Sequence, residues 1–359
     1  MKKIFFFLII LILLYNLKIL NVKGSERLIG LYGFDKNAEI FKGLSIQEIS
    51  DYLSKVGINA VWGNFDEKGI PDVLHNKGIK TFFEISIFSS EKLWKEFPDS
   101  RPVLSSGKLL EKEGWYAGVC PVNEKVRKKK LKEIDETLAR GFYDGVWLDF
   151  IRYPCHWEVK EPKIFETCFC NNCLNKFQKD TGIKIPYNNN DKKKIANLIL
   201  SNYDNLWREW KCEQITNFCA EVKKLINEKY QGKILGMFGV PWRMEDFNGA
   251  IKEIICQDYK NLAKYIDVFS PMSYHLMCNR DVKWIGDVTK EIVSLTNKPV
   301  WVIIQGVSDP VKMTDEEFEK AIKEGLSNNS SGIIVYSFRH MVEEKKWEVF
   351  INTVKYLEK

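Results

Sequence analysis

Hydrophobic and polar positions along this chain alternate between two rhythms. Short, nearly continuous apolar runs recur at RLIGLYGFD (27–35), INAVWGN (58–64), KTFFEISIF (80–88), GVWLDFIRYP (145–154), ILGMFGVPW (234–242), IDVFSPMSYH (266–275), PVWVIIQG (299–306) and GIIVYSFRH (332–340). Continuous apolarity is what parallel strands covered on both faces require. Between the runs lie stretches of helical periodicity such as SIQEISDYLSKVG, DVTKEIVSLTNK and TDEEFEKAIKEGL. Ser45 with Glu48, and Thr314 with Glu317, have capping-box spacing and predict helix starts. Eight strand and helix units in alternation predict an α/β fold, a (β/α)8 TIM barrel.

Five of the seven spacings between runs, at about 22 to 34 residues, fit a single strand-helix unit, and the other two are longer. About 65 residues separate the starts of the third and fourth runs, and about 89 the starts of the fourth and fifth. The extra chain therefore follows strands 3 and 4, on the face where such barrels build their sites. The second insertion (155–230) contains a cysteine cluster, a polar linker IPYNNNDKKK, and a helical pattern from about Lys192 to Tyr230 with Leu206, Trp210, Phe218, Val222 and Leu225 on one face.

The first 24 residues stand apart from this alternation. MKKIFFFLIILILLYNLKIL joins a basic pair to a long apolar stretch, the pattern of a secretory signal, with Val22 and Gly24 suited to cleavage before Ser25. An uncleaved anchor is the alternative, and would be the only membrane attachment. Either reading predicts an exported protein whose barrel occupies 25–359. The net charge of +6 is spread along the chain, and the one dense basic run, RKKK at 127–130, fits a solvated helix face rather than a nucleic-acid surface.

Candidate chemistry gathers where the strands end. Asp149 falls near the end of the fourth run, in a setting that disfavours Asp unless it is paired or hydrogen-bonded, and Arg152 could supply the pairing. An ionised carboxylate in a cleft suits glycosidic bond hydrolysis, which needs a second carboxyl group as acid/base. Glu84 would point inward if Phe83 and Ile85 face the helices. Glu245 follows the fifth run on a loop that could reach a leaving group, and is the favoured partner. Glu158 is the third candidate.

Aromatic residues expected at the same face are Trp62, Trp115, Tyr116, Trp157, Trp242 and Tyr274, whereas Trp147 and Trp301 read as core. Flat rings suit sugar C–H faces, and Arg152, His156, His275, Gln305 and Arg339 with His340 could contact hydroxyl groups. The three strand-end histidines raise a metal-dependent hydrolase as a rival, but the first run lacks the H-x-H pair common in such barrels.

Nine cysteines leave disulfides and a metal site both open. In CFCNNC, Cys168, Cys170 and Cys173 have the spacing of a structural zinc site, with Cys155 or His156 as a fourth ligand, while an exported location favours disulfides. No catalytic cofactor is required. Cys212 and Cys219 share a helix face but cannot bond to each other within one helix.

DFIRYP (149–154) and FSPMSYH (269–275) resemble the end of the fourth strand and the PM-x-Y motif of the sixth strand in a group of exported glycoside hydrolase barrels. CFCNNCLNKF looks like a cysteine-bearing insert of several such families. The resemblance runs from about Arg27 to the C-terminus. It implies a glycoside hydrolase-type barrel acting on a polysaccharide or oligosaccharide, with Asp149 in the site. Similarity to barrel glycosidases with an Asp on strand 4 and a Glu after strand 5 adds weight to Glu245. A catalytically inactive carbohydrate-binding barrel is the reading from another class.

Overall fold

The computed structural model describes residues 27–185 and 191–357. The predicted signal segment and part of the polar linker lie outside the described residues. Among the described residues, no helix is long and apolar enough to cross a membrane.

Eight parallel strands close into a barrel: β1 (Leu28–Tyr32), β2 (Ala60–Trp62), β3 (Lys80–Ser86), β4 (Gly145–Asp149), β5 (Ile234–Gly239), β6 (Val268–Ser273), β7 (Trp301–Gln305) and β8 (Gly332–Tyr336). Each predicted run supplies one strand. Neighbours in sequence are neighbours in the sheet, and β8 closes on β1 with Leu28 opposite Gly332 and Leu31 opposite Val335. Every residue of β4, β6 and β7 is buried, which is why their sequences show no polar alternation.

Within the barrel the two-residue period of a strand sorts side chains into layers. Trp62, Phe82, Trp147 and Trp301 meet in the lower layer, with ring centroids 4.6 Å apart for Phe82 and Trp147 and 5.4 Å apart for the stacked Trp147 and Trp301. Trp62, expected near the mouth, belongs to this plug instead, because β2 ends with it pointing inward, 5.0 Å from Trp147. Four large rings fit only because other strands contribute almost nothing at that height. A Cβ on Gly236 would stand 2.2 Å from the Trp147 ring, and one on Gly30 2.6 Å from the Trp62 ring.

The helix Ile46–Lys55 begins with the full predicted capping box: Glu48 N–H donates to Ser45 Oγ, and the Glu48 carboxylate accepts from Ser45 N–H. At Thr314 only half of the box forms. Thr314 Oγ1 accepts from Glu317 N–H, but the Glu317 carboxylate turns to His275 Nε2 at 3.1 Å. The single long helix expected from Lys192 to Tyr230 is two, Lys192–Asn202 and Asp204–Lys229, broken at Tyr203. Asp204 restarts the helix with a carboxylate at its positive end. Trp210, Phe218 and Val222 of the expected stripe are buried, and it differs at its start, where Trp207, stacked on Phe169, is buried and Leu206 faces solvent.

The two insertions pack together above the barrel. The β3 excursion returns through the helix Glu124–Ala139, where the RKKK run makes ion pairs: Arg127 with Glu221, Lys129 with Glu96 and Lys130 with Glu133. The β4 excursion opens with a two-stranded ribbon, Cys155–His156 against Lys163–Ile164. An antiparallel bridge between Leu104 and Thr167 joins the two excursions.

Candidate functional site

Two residues beyond the aromatic plug, the same strands turn a second layer of side chains inward, and its character changes. Tyr32 follows Gly30 on β1, Glu84 follows Phe82 on β3, Asp149 follows Trp147 on β4, and Phe238 follows Gly236 on β5. These residues, with Met272, Ile303 and Tyr336 from β6 to β8, line a cavity of about 450 Å³ at the C-terminal mouth of the barrel. Trp115 from the β3 excursion, Phe150 and Glu158 from the β4 excursion, and Tyr274, Met277 and Asp309 complete the wall.

Three carboxyl groups thus face one space, Asp149 buried and Glu84 and Glu158 half-buried. Glu84 accepts a hydrogen bond from the Tyr32 hydroxyl and shares another with Asp149. Burial drives the Glu84 pKa far above the glutamate range, and the charge of Asp149 drives it further. Burial raises Asp149 as well, but the Arg152 charge, the Phe150 N–H and the Glu84 hydrogen bond all act to lower it. Glu84 therefore holds the shared proton and Asp149 the charge. Glu158 is pushed up to about 7, mainly by burial, and its Oε2 has no hydrogen-bond partner among the described residues.

The turn after β4 aims these groups. Phe150 adopts φ of 51°, a left-handed conformation costly for an aromatic residue, and its N–H donates to Asp149 Oδ1 at 2.7 Å. Arg152 is fully buried with its guanidinium 4.9 Å from the Phe150 ring centroid and 5.5 Å from that of Tyr116. It acts on Asp149 and Glu158 through its charge, without a direct ion pair to either among the described residues. The expected Asp149–Arg152 pairing is thus an interaction at a distance.

The other predicted contacts divide. Tyr274 lines the cavity and stacks on Tyr336 with centroids 4.9 Å apart, while Trp157 lies behind Tyr274, stacked on it at 5.7 Å. His156 is half-buried, its ring parallel to that of Tyr116. Gln305 is buried beneath the loop after β7, where its amide donates to the Val307 and Asp309 carbonyls and accepts from Met277 N–H. It places two cavity residues, Asp309 and Met277, rather than reaching a ligand.

Four candidates stand outside. Glu245 is 70% exposed and pairs with Arg243 at 2.8 Å, because the chain after β5 turns outward. Trp242 is buried against Phe247. His275 points away from the mouth to Glu317, and Arg339 is 74% exposed, paired with Glu343 on its own helix. Tyr32 and Tyr336 escaped the sequence reading. Tyr32 carried a signal, since it falls two residues after a glycine on an inward-facing period.

The cysteines also come together in a way local spacing could not reveal. The Sγ atoms of Cys120, Cys168, Cys170 and Cys173 all lie within 4.8 Å of one another. The fourth member is Cys120 from the β3 excursion, 50 residues before Cys170, and neither Cys155 nor His156 takes part.

Comparison with known proteins agrees with this architecture. Among solved structures, the glycoside hydrolase domain of PgaB (BpsB) from Bordetella bronchiseptica superposes with a TM-score of 0.65 at 11% identity, over 91% of this chain and 98% of that one. The β-galactosidase of the psychrophilic Marinomonas ef1 gives 0.63 at 10% identity, over 92% of this chain and 60% of its own. A catalytic mutant of Gan42B, a GH42 β-galactosidase from G. stearothermophilus, gives 0.61 at 14% identity, over 93% and 57%. The chain thus spans well under two thirds of these β-galactosidases, and at such identities the likeness is one of fold. No curated protein sequence matches. The profile of a family described as "Putative glycosyl hydrolase domain" matches residues 49–281, which include β3 to β6, both excursions, Glu84, Asp149 and Glu158. The chain belongs to that glycosyl hydrolase domain family.

Proposed function

We propose that this protein hydrolyses glycosidic bonds in a polysaccharide or oligosaccharide, with Asp149 as the ionised carboxylate and Glu158 as the proton donor. The observation that carries this reading is the convergence of Glu84, Asp149 and Glu158, one buried and two half-buried, with different proton affinities, on one aromatic-walled cavity. Environments that push neighbouring carboxyl groups apart in pKa are how acid and base roles become separated. In this reading Glu158 protonates the leaving-group oxygen as the C–O bond breaks, Asp149 stabilises the cationic sugar or attacks it, and a water that returns a proton to Glu158 then bonds the anomeric carbon and frees Asp149. Glu84, protonated and anchored by Tyr32, donates to Asp149 and fixes its orientation. Trp115, exposed at the cavity wall, offers a ring face to the sugar, while Tyr274, stacked between Trp157 and Tyr336, presents its edge.

A panel of polysaccharides and aryl glycosides tests the proposal. Asp149→Ala is expected to abolish turnover on every substrate the wild type cleaves. Glu158→Gln should slow natural glycosides by about 10²–10⁴-fold while sparing aryl glycosides whose leaving group needs no proton. Wild-type activity should decline as pH rises past about 7, where Glu158 gives up its proton. Saccharide binding without turnover on any substrate would overturn the hydrolase reading in favour of a binding barrel.

A further inference from the structure

We propose that Cys120, Cys168, Cys170 and Cys173 bind one zinc ion, and that this centre staples the two excursions roofing the cavity. Four thiolates around Zn²⁺ at about 2.3 Å make a tetrahedron whose sulfur–sulfur edges are about 3.8 Å. The cluster already has these dimensions: Cys120 Sγ is 3.5 Å from Cys170 Sγ and 3.4 Å from Cys173 Sγ, with every pair inside 4.8 Å. All four cysteines are buried, so water cannot take the place of a ligand.

The surroundings suit the net double negative charge of a zinc tetrathiolate. Val103 N–H points at Cys168 Sγ at 3.4 Å. Cys170 caps the N-terminus of the helix Asn171–Thr181 and Cys173 lies in its first turn, so the positive end of the helix faces the sulfurs. The Lys192 ammonium is held next to Cys170 by its hydrogen bond to Asn171 Oδ1. A thiolate-only tetrahedral set selects zinc over the hard divalent cations.

The connectivity assigns the centre its task. Cys120 follows the cavity residue Trp115 by five positions on the β3 excursion, and the other three cysteines follow Glu158 on the β4 excursion. Beside the Leu104–Thr167 bridge, hydrogen bonds from Ser105 N–H to Glu166 O, Phe169 N–H to Val103 O and Cys155 N–H to the Tyr116 hydroxyl join the two segments, and the metal would add a bonded crosslink to these contacts. A metal bonded to both fixes the distance between an aromatic wall and a carboxyl group. This inference does not depend on the proposed reaction, since it concerns metal content and covalent state.

Full-length protein purified without added metal is expected to contain one zinc per chain by atomic emission. Denatured with chelator, it should show nine reactive thiols, the full cysteine complement. Cobalt(II) exchanged into the centre should give the intense visible bands of tetrahedral thiolate coordination. Cys120→Ser should lose most of the zinc, whereas Cys219→Ser, a buried cysteine elsewhere, should keep it. Five thiols in the denatured wild type would mean two disulfides and would overturn the proposal without any variant. So would a metal-free wild type with nine thiols, an iron-containing red protein, or full zinc retention in Cys120→Ser.

Discussion

Two layers of side chains fill the barrel interior, and only two residues of each strand separate them. In the lower layer Phe82, Trp147 and Trp301 pack ring against ring; in the upper layer Glu84 and Asp149, on two of the same strands, share a proton. The lower layer is stable because its shape is complementary, large rings opposite glycines. The upper layer is costly, because two carboxyl groups are held side by side and must remain so for either to have an unusual pKa. The plug supplies the dry floor that shifts the proton affinities above it. The contrast shows one period-2 pattern being used first for packing and then for chemistry.

Breaking the lower layer should have the largest effect. Trp147→Ala leaves a void among three aromatic side chains and deletes the Ser270 hydrogen bond, and is expected to cost about 3–5 kcal/mol in urea denaturation. A loss under about 1 kcal/mol would show that the plug is not close-packed. Glu84→Gln sharpens the contrast from the other side. Native Glu84 keeps its proton at pH values where the unfolded chain has released it, so wild-type stability falls as pH rises from the ordinary glutamate range to the raised native value. The Gln variant keeps the donor to Asp149 but lacks that slope, and should be the more stable protein at neutral and alkaline pH. Thermal midpoints measured across pH would reveal a parallel, unshifted curve if Glu84 were in fact unperturbed. Glu245→Gln should do least: stability within about 0.5 kcal/mol and unchanged turnover, as for any exposed side chain outside the cavity. A tenfold fall in kcat would return the proton donor to the β5 loop.

The eight strands were legible because each is largely buried on both faces, which leaves a nearly unbroken apolar run in the sequence. Asp149 and Glu84 were legible for the complementary reason, as charges where a strand interior tolerates none. Residues whose roles depend on which way a loop turns were not. Glu245 and Arg339 lie at strand ends in the sequence yet point to solvent, and Glu158, equally placed on a loop, points inward. Trp62 reads as a mouth residue until β2 is seen to end on it. Cys120 is invisible to spacing, because its partners come from another excursion and only the folded chain brings them together.

Tyr32 has a consequence for the timing of assembly. Its hydroxyl holds Glu84, while its ring rests against Tyr336, the final residue of β8, with centroids 5.2 Å apart. The first and last strands of the barrel thus both contribute to seating it. A nascent chain can form β3 and β4 and bring Glu84 to Asp149 long before β8 exists, but the tyrosine that anchors this pair is clamped only when the ring of strands closes. Completion of the acid pair is in this sense a record of barrel closure.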